Sequence, residues 1–175
     1  MGKIGIPERI KIVAGFIFND LAVFDRTIAS ISKKLGPVDH KSEIFDFDYT
    51  DYYEEEMGKG LKRSFVSFER LRRPDRVWEL KNFTNKIETG SSHSGRRRIN
   101  IDPGYLTLSK LVLLTTKDYA HRIYLGGGIY SEITLFYKDG SYRPWEWTYP
   151  DYATQDYISF FKSVRESYSN QAKAK

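Results

Sequence analysis

The order of apolar runs predicts an α+β fold: a ferredoxin-like (split βαβ) N-terminal core with a mainly antiparallel sheet, extended by a helix, a β-meander and a C-terminal helix. Three observations predict it. The first hundred residues change period in the order strand, helix, strand, strand, helix, strand, which is the order of the split βαβ unit. From His121 onward the pattern is strand after strand, joined by short turns. The helical period then returns over Thr154–Tyr168.

The elements follow in order. Residues 10–18 (IKIVAGFIF) are β-branched and aromatic and read as a buried strand. Asn19 or Asp20 offers a helix N-cap. Leu21, Phe24, Ile28, Ile31 and Leu35 then form one apolar stripe, which Gly36–Pro37 ends. Ser42–Tyr49 reads as a strand with Phe45 and Phe47 on one face and Asp46 and Asp48 on the other. Asp51–Met57 reads as a helical turn that Asp51 caps and Gly58 closes. Lys62–Arg70 reads as a strand with Phe65 and Phe68 on opposite faces. Pro74 suits a helix start, and Val77, Leu80, Lys81, Thr84 and Ile87 carry the helical period to about Thr89.

Gly90–Gly95 is a loop by composition. Arg97–Ile101 reads as a strand that stops at the tight turn Asp102–Pro103–Gly104. Thr107–Lys117 fits a helix, the preferred reading, although Leu111–Leu114 also fits a buried strand. Arg122–Leu125, Ile129–Tyr137 and Tyr142–Trp147 make the meander, with a hairpin signal at Asp139–Gly140. The expectation is one domain over residues 1–175, an ordered core at 8–168 and a frayed tail at 170–175.

Composition excludes several classes of function. There is no cysteine, so no disulfide framework, thiolate zinc site or cysteine nucleophile. The three histidines have no HExxH or His-x-x-His spacing. The cofactor is thus unknown, and any metal would be Mg²⁺ or Mn²⁺ on oxygen ligands rather than Zn²⁺. Neither GxxxxGK[ST], GxGxxG nor GxSxG occurs. No run approaches the ~20 apolar residues of a membrane span, and Met1–Arg9 lacks a signal-peptide core, so a cytoplasmic place without membrane partners is expected. Two glutamines beside many Lys, Arg and Glu lean toward a thermophile pattern. The net charge of +5 is mildly basic and spread along the chain.

Four segments carry more polar chemistry than a connection needs. Asp46–Glu56 holds six carboxylates, and Asp48, Asp51 and Glu56 are candidate metal ligands, with Tyr53 as a ligand contact. The plainer alternative is a solvated acidic turn. Gly90–Arg98 joins a Gly/Ser loop to three arginines, and Arg97 is a candidate anion contact. Its alternative is a flexible loop with a basic strand edge. Asn100–Tyr105 offers Asp102 as a catalytic carboxylate and Tyr105 as a ligand contact, or else only a hydrogen-bonded turn. Lys117–Tyr124, followed by Glu132, offers His121 as an acid/base and Lys117 and Arg122 as anion anchors; Lys110 is a fourth cation. By strand alternation His121 and Arg122 face the same way only if the joint bends. Tyr142, Trp145, Trp147, Tyr149 and Tyr152 form either a stacking surface or a core cover.

The segments Thr50–Gly58, Phe65–Phe68, Arg98–Leu106, Thr115–Asp118, His121–Leu125 and Trp147–Tyr152 resemble a family of prokaryotic single-domain proteins known as a domain of unknown function. The Asn-x-Asp-Pro-Gly-Tyr segment at Asn100–Tyr105 is its distinctive part. The resemblance implies one compact domain over about residues 8–165 and no particular chemistry. The leading expectation is an anionic small-molecule or nucleotide-type ligand site built from carboxylates, Lys/Arg and one His. The alternatives are a structural or interaction protein acting as a homodimer, and an RNA-binding module.

Overall fold

The computed structural model describes residues 2–173. In chain order the elements are β1 (Lys11–Phe18), α1 (Leu21–Leu35), β2 (Val38–Lys41), β3 (Phe45–Asp46), α2 (Glu54–Met57), β4 (Lys62–Phe68), α3 (Glu79–Gly90), β5 (Ile99–Leu106), β6 (Lys110–Thr115), β7 (Ile123–Gly126), β8 (Ile129–Lys138), β9 (Ser141–Pro144) and α4 (Gln155–Lys173). Short 3₁₀ turns at Asp51–Tyr53 and Pro150–Ala153 lead into α2 and α4. The strands form one nine-stranded sheet, in the order β2-β4-β1-β5-β6-β8-β7, with β3 added on β4 and β9 on β8. Every pairing is antiparallel. Among the described residues no helix is long and apolar enough to cross a membrane.

The central strand explains the layering. All eight residues of β1 are buried, so both of its faces are covered. Ile12, Ala14, Phe16 and Phe18 pack with Val23, Phe24 and Ile31 of α1 and Leu80 of α3. Val13 faces the other way, into a core with Phe65, Leu111, Leu135 and the α4 residues Tyr157, Phe161, Val164 and Tyr168. α1 begins where Asp20 accepts the N–H groups of Ala22 and Val23, a cap worth about 1 kcal/mol. The β8–β9 hairpin turns through Asp139 and Gly140, both at positive φ as a type I′ turn requires.

Several sequence expectations need correction. Thr107–Lys117 is not a helix: Lys110–Thr115 is strand β6, reached by a tight turn in which Thr107 N–H bonds the Lys110 carbonyl. Leu111–Leu114 is buried on both faces of the sheet, and a run buried on both faces carries neither the strand nor the helix period. Asp102–Pro103–Gly104 is no terminating turn but the middle of β5. β6 pairs only from Gly104 onward, so one side of Pro103 faces no strand and its missing N–H is tolerated. A Cβ on Gly104 would fall against the Val112 carbonyl oxygen, so glycine here lets two strands approach. Of the strand expected at Ser42–Tyr49 only Phe45–Asp46 is strand, as β3, while β2 precedes it at Val38–Lys41; the last meander strand ends at Pro144, before Trp145 and Trp147. Thr50, not Asp51, caps the 3₁₀ turn.

The tail expected to fray is helical through Lys173, while Ala174 and Lys175 lie outside the described residues. Its anchor is a buried polar cluster. Lys11, fully buried on β1, pairs with Asp39 of β2 and donates to Gln171 Oε1 at 2.9 Å. Gln171 in turn donates to the Glu69 carbonyl at 3.1 Å.

Candidate functional site

The site begins where the sheet parts. β5 pairs with β1 along its whole length, but with β6 only over Gly104–Leu106. The first half of β5 and the end of β6 therefore run unpaired with each other. Ile101 faces this gap, and two side chains of α3 replace the missing strand: Ile101 N–H donates to Glu88 Oε1 at 2.7 Å, and Lys81 Nζ donates to the Ile101 carbonyl at 2.7 Å. Burial, the largest influence, raises the Glu88 pKa despite Lys81 nearby. The gap opens into a cleft of about 840 Å³ that residues from β3–α2, β4, α3, β5, β6 and the two loops flanking β7–β9 line. That volume is within the range of small-molecule sites.

The floor is a chain of charged hydrogen bonds. Arg63 of β4, fully buried, donates to Asp102 Oδ2 at 2.9 Å and to the Tyr152 hydroxyl at 2.6 Å. Its Nε has no acceptor among the described residues. The guanidinium lies over the rings of Phe65 and Tyr152, 4.8 and 5.1 Å from their centroids. Asn100 donates to Asp102 Oδ1 at 3.0 Å and accepts from Arg97 at 3.0 Å. Arg97 then grips Glu56 with two nitrogens, at 2.7–2.9 Å. Burial alone would raise the Asp102 pKa, but Arg63 and Lys81 bring it below the usual carboxylate value. Asp151, beside the same Arg63, moves the other way: burial raises it, and Arg63 does not offset this. The pKa values of two carboxyls in one cleft are thus moved in opposite directions.

The rim is cationic and aromatic. Buried Glu132 of β8 accepts from Arg122 Nε at 2.7 Å and lies 3.2 Å from His121 Nε2. A carboxylate only accepts, so Nε2 carries the proton in this contact. Arg122 also donates to the Lys117 carbonyl at 3.0 Å and the Tyr149 hydroxyl at 3.1 Å. His121 and Arg122 both reach Glu132 because they lie in the bend before β7 rather than in the strand. Lys117 Nζ lies 4.6 Å over the Tyr52 ring and 3.3 Å from its hydroxyl, joining two sides of the mouth. The imidazole of His121 stacks near-parallel between Tyr119 and Trp147, at 6.2 and 5.3 Å. Tyr53, raised by burial and then by Asp102, holds its hydroxyl proton.

Of the residues singled out in the sequence, Asp102, His121, Lys117, Arg122, Arg97 and Tyr53 line this cleft. Lys110, Tyr105, Asp48, Asp51 and Glu56 do not. Tyr105 packs on the core, and Lys110 starts β6 at its far end. Asp48 and Asp51 are exposed while Glu56 is committed to Arg97, so the suggested oxygen-ligand metal set is not assembled. Among the described residues no group of three His, Asp or Glu side chains is placed to hold a metal. Arg63, Lys81, Glu88 and Asp151 were missed. Lys81 had left a signal, as a polar residue on the apolar stripe of its helix, and Arg63 as an arginine on the Phe65 face of a strand.

A family model described as a domain of unknown function (DUF4416) matches residues 8–168, and the chain belongs to that family. No curated protein and no solved structure matches the chain.

Proposed function

We propose that this DUF4416 protein binds a small anionic ligand of the nucleotide type in the cleft between β5 and β6, where His121, oriented by Glu132, serves as the proton-transferring group. The observation that carries the reading is the meeting of Arg97, Asp102, Lys117, His121 and Arg122, from three separate stretches of chain, in one cavity. Arg63, Lys81, Arg97 and Arg122 each face a carboxylate. Lys117, among the described residues of the cleft, is the cation without one, so an incoming anion meets it uncompensated. Around it the rings of Tyr52, Tyr119, Trp147 and Tyr149, all exposed, make the mouth of the cleft aromatic. A His held by a buried carboxylate is a recurrent arrangement for general acid–base catalysis.

The strand order β2-β4-β1-β5 with its two covering helices supports a ferredoxin-like core, and the whole chain is taken as one domain. Thermal unfolding with mononucleotides and inorganic phosphate tests the ligand reading, since a ligand that binds only the folded state raises the melting temperature. A shift that Lys117→Ala diminishes supports it, and no shift at millimolar ligand counts against it. A second reading, a homodimer, rests on the terminal strand β7, whose Ile123 and Tyr124 are 69% and 58% exposed. Light scattering at micromolar concentration distinguishes a dimer from a monomer.

A further inference from the structure

Pairing charge against charge in the cleft leaves a remainder of one group of each sign. Arg63 pairs with Asp102, Lys81 with Glu88, Arg97 with Glu56 and Arg122 with Glu132. Lys117 is the cation left over. The carboxyl groups that line the cleft are Glu88, Asp102, Glu132 and Asp151. Among the described residues Asp151 alone of these has no ion-pair partner, and it forms none with Lys117.

Asp151 is held in place without the use of its carboxyl. It lies in the 3₁₀ turn Pro150–Ala153, and the tyrosines on either side of it are tied to the cleft. The Tyr149 hydroxyl accepts from Arg122 at 3.1 Å and the Tyr152 hydroxyl from Arg63 at 2.6 Å. The backbone carbonyl of Asp151 accepts from the Thr154 hydroxyl at 2.8 Å and from the Thr154 N–H at 3.1 Å. The carboxyl itself meets no side-chain donor among the described residues; its polar neighbours are the backbone N–H groups of Tyr152 and of Asp151 itself. Yet Asp151 is only 5% exposed while lining the cleft. A buried polar group short of partners is costly, and a ligand that supplies one removes the cost. The fixed backbone means that the carboxyl waits in position rather than being ordered on contact.

The two leftover groups stand at different depths. Lys117 is at the mouth beside Tyr52, and Asp151 is on the floor beside Arg63 and Tyr152. A ligand that satisfies both carries an anion at one end and a hydrogen-bond donor at the other. Burial raises Asp151 above its ordinary value of 3.8, which works against the ionised form. A hydroxyl therefore matches it better than an ammonium group, because a hydroxyl both donates and accepts and needs no ion opposite.

We propose that the ligand is a hydroxylated phosphate ester, its phosphate at Lys117 and a sugar hydroxyl on the Asp151 carboxyl, which makes Asp151 the residue that selects the sugar. This rests on the cleft reading for the phosphate and adds the hydroxyl end to it.

The test is calorimetric titration of the full chain with adenosine monophosphate, with its dideoxy analogue lacking both ribose hydroxyls, and with ribose phosphate. The parent protein should bind adenosine monophosphate about tenfold tighter than the analogue, the worth of one hydrogen bond to a buried polar group. Asp151→Ala should lower adenosine monophosphate to the affinity of the analogue and leave the analogue itself unchanged, whereas a merely structural role would weaken both alike. Asp151→Asn, which keeps an acceptor and a donor, should retain part of the preference. Ribose phosphate should depend on Asp151 in the same way, binding as tightly as the nucleotide if the natural ligand is a sugar phosphate and more weakly if the base is part of it. Equal binding of adenosine monophosphate and the analogue by the parent protein overturns the hydroxyl contact, whether or not Asp151→Ala folds, and leaves the anion reading standing. A preference that survives in Asp151→Ala overturns Asp151 as its source. Failure of every phosphate to bind overturns both readings. Tighter binding of a zwitterionic amino acid than of any phosphate, lost in Asp151→Ala, overturns the hydroxyl in favour of an ammonium group.

Discussion

Glu88 on α3 accepts the backbone N–H of Ile101 on β5 at 2.7 Å, in the place where β6 would have bonded had the sheet stayed closed. The cleft exists because this side chain, with Lys81 on the adjoining carbonyl, satisfies a strand that has lost its neighbour. Replacing Glu88 with Ala strands a buried amide and leaves buried Lys81 without its partner. The expected loss is about 3 kcal/mol or more, and Glu88→Gln, which keeps an acceptor for the amide, should lose less. Urea unfolding of the two variants measures the difference.

Asp102 and Asp151 should respond to pH with opposite signs. Asp102 lies below its ordinary value of 3.8 because Arg63 and Lys81 outweigh burial. It binds fewer protons folded than unfolded, so its contribution to stability is present above pH 3.8 and is lost as pH falls through its folded value. Asp151 is raised above 3.8 by burial, so its contribution is present below 3.8 and is lost as pH rises through its folded value. Melting temperatures from pH 3 to 8 should therefore show Asp102→Asn least harmful at the acid end. Asp151→Asn should gain on the parent protein as pH rises.

Gly104 tests the close approach of β5 and β6. A Cβ there meets the Val112 carbonyl, a backbone atom that cannot turn aside. Gly104→Ala should cost about 1–3 kcal/mol by forcing the strands apart, read as a lower urea midpoint with an unchanged slope. An unchanged midpoint would mean that the strands yield freely.

Glu132 holds two functional side chains at once. Its carboxylate and the Arg122 side chain are 2% and 3% exposed, so Glu132→Ala leaves a buried guanidinium uncompensated, a loss of about 3–5 kcal/mol. Glu132→Gln keeps an acceptor for the Arg122 guanidinium and should lose less. Urea unfolding of the two variants measures the difference.

Sequence alone showed the helices that bury one face, because the period survives in α1 and α4, and it showed β1 through its run of β-branched and aromatic residues. It failed where burial erased the period, as at Leu111–Leu114, and where a glycine–proline pair imitated a turn inside a strand, as at Pro103–Gly104. The polar clusters at Lys117–Arg122 and Asp102 pointed toward the cleft because each placed more charge than a connection requires. Glu88 and Asp151 lay hidden, since each looks like an ordinary surface charge until the fold closes over it. The acidic run at Asp46–Glu56 misled for a related reason. Its carboxylates divide between Lys62, Arg97 and solvent instead of converging.

The central claim, that the cleft receives an anion at Lys117 beside His121, is tested most directly by calorimetric titration of mononucleotides into the parent protein and Lys117→Ala. Among the described residues Tyr52 is the one polar and cation–π partner of the Lys117 side chain, so its removal should leave the melting temperature unchanged within about 1 °C. The account predicts saturable binding to the parent protein that weakens by about tenfold or more in the variant, the loss of one charge-assisted contact. Equal binding by both proteins, or none by either, would contradict it.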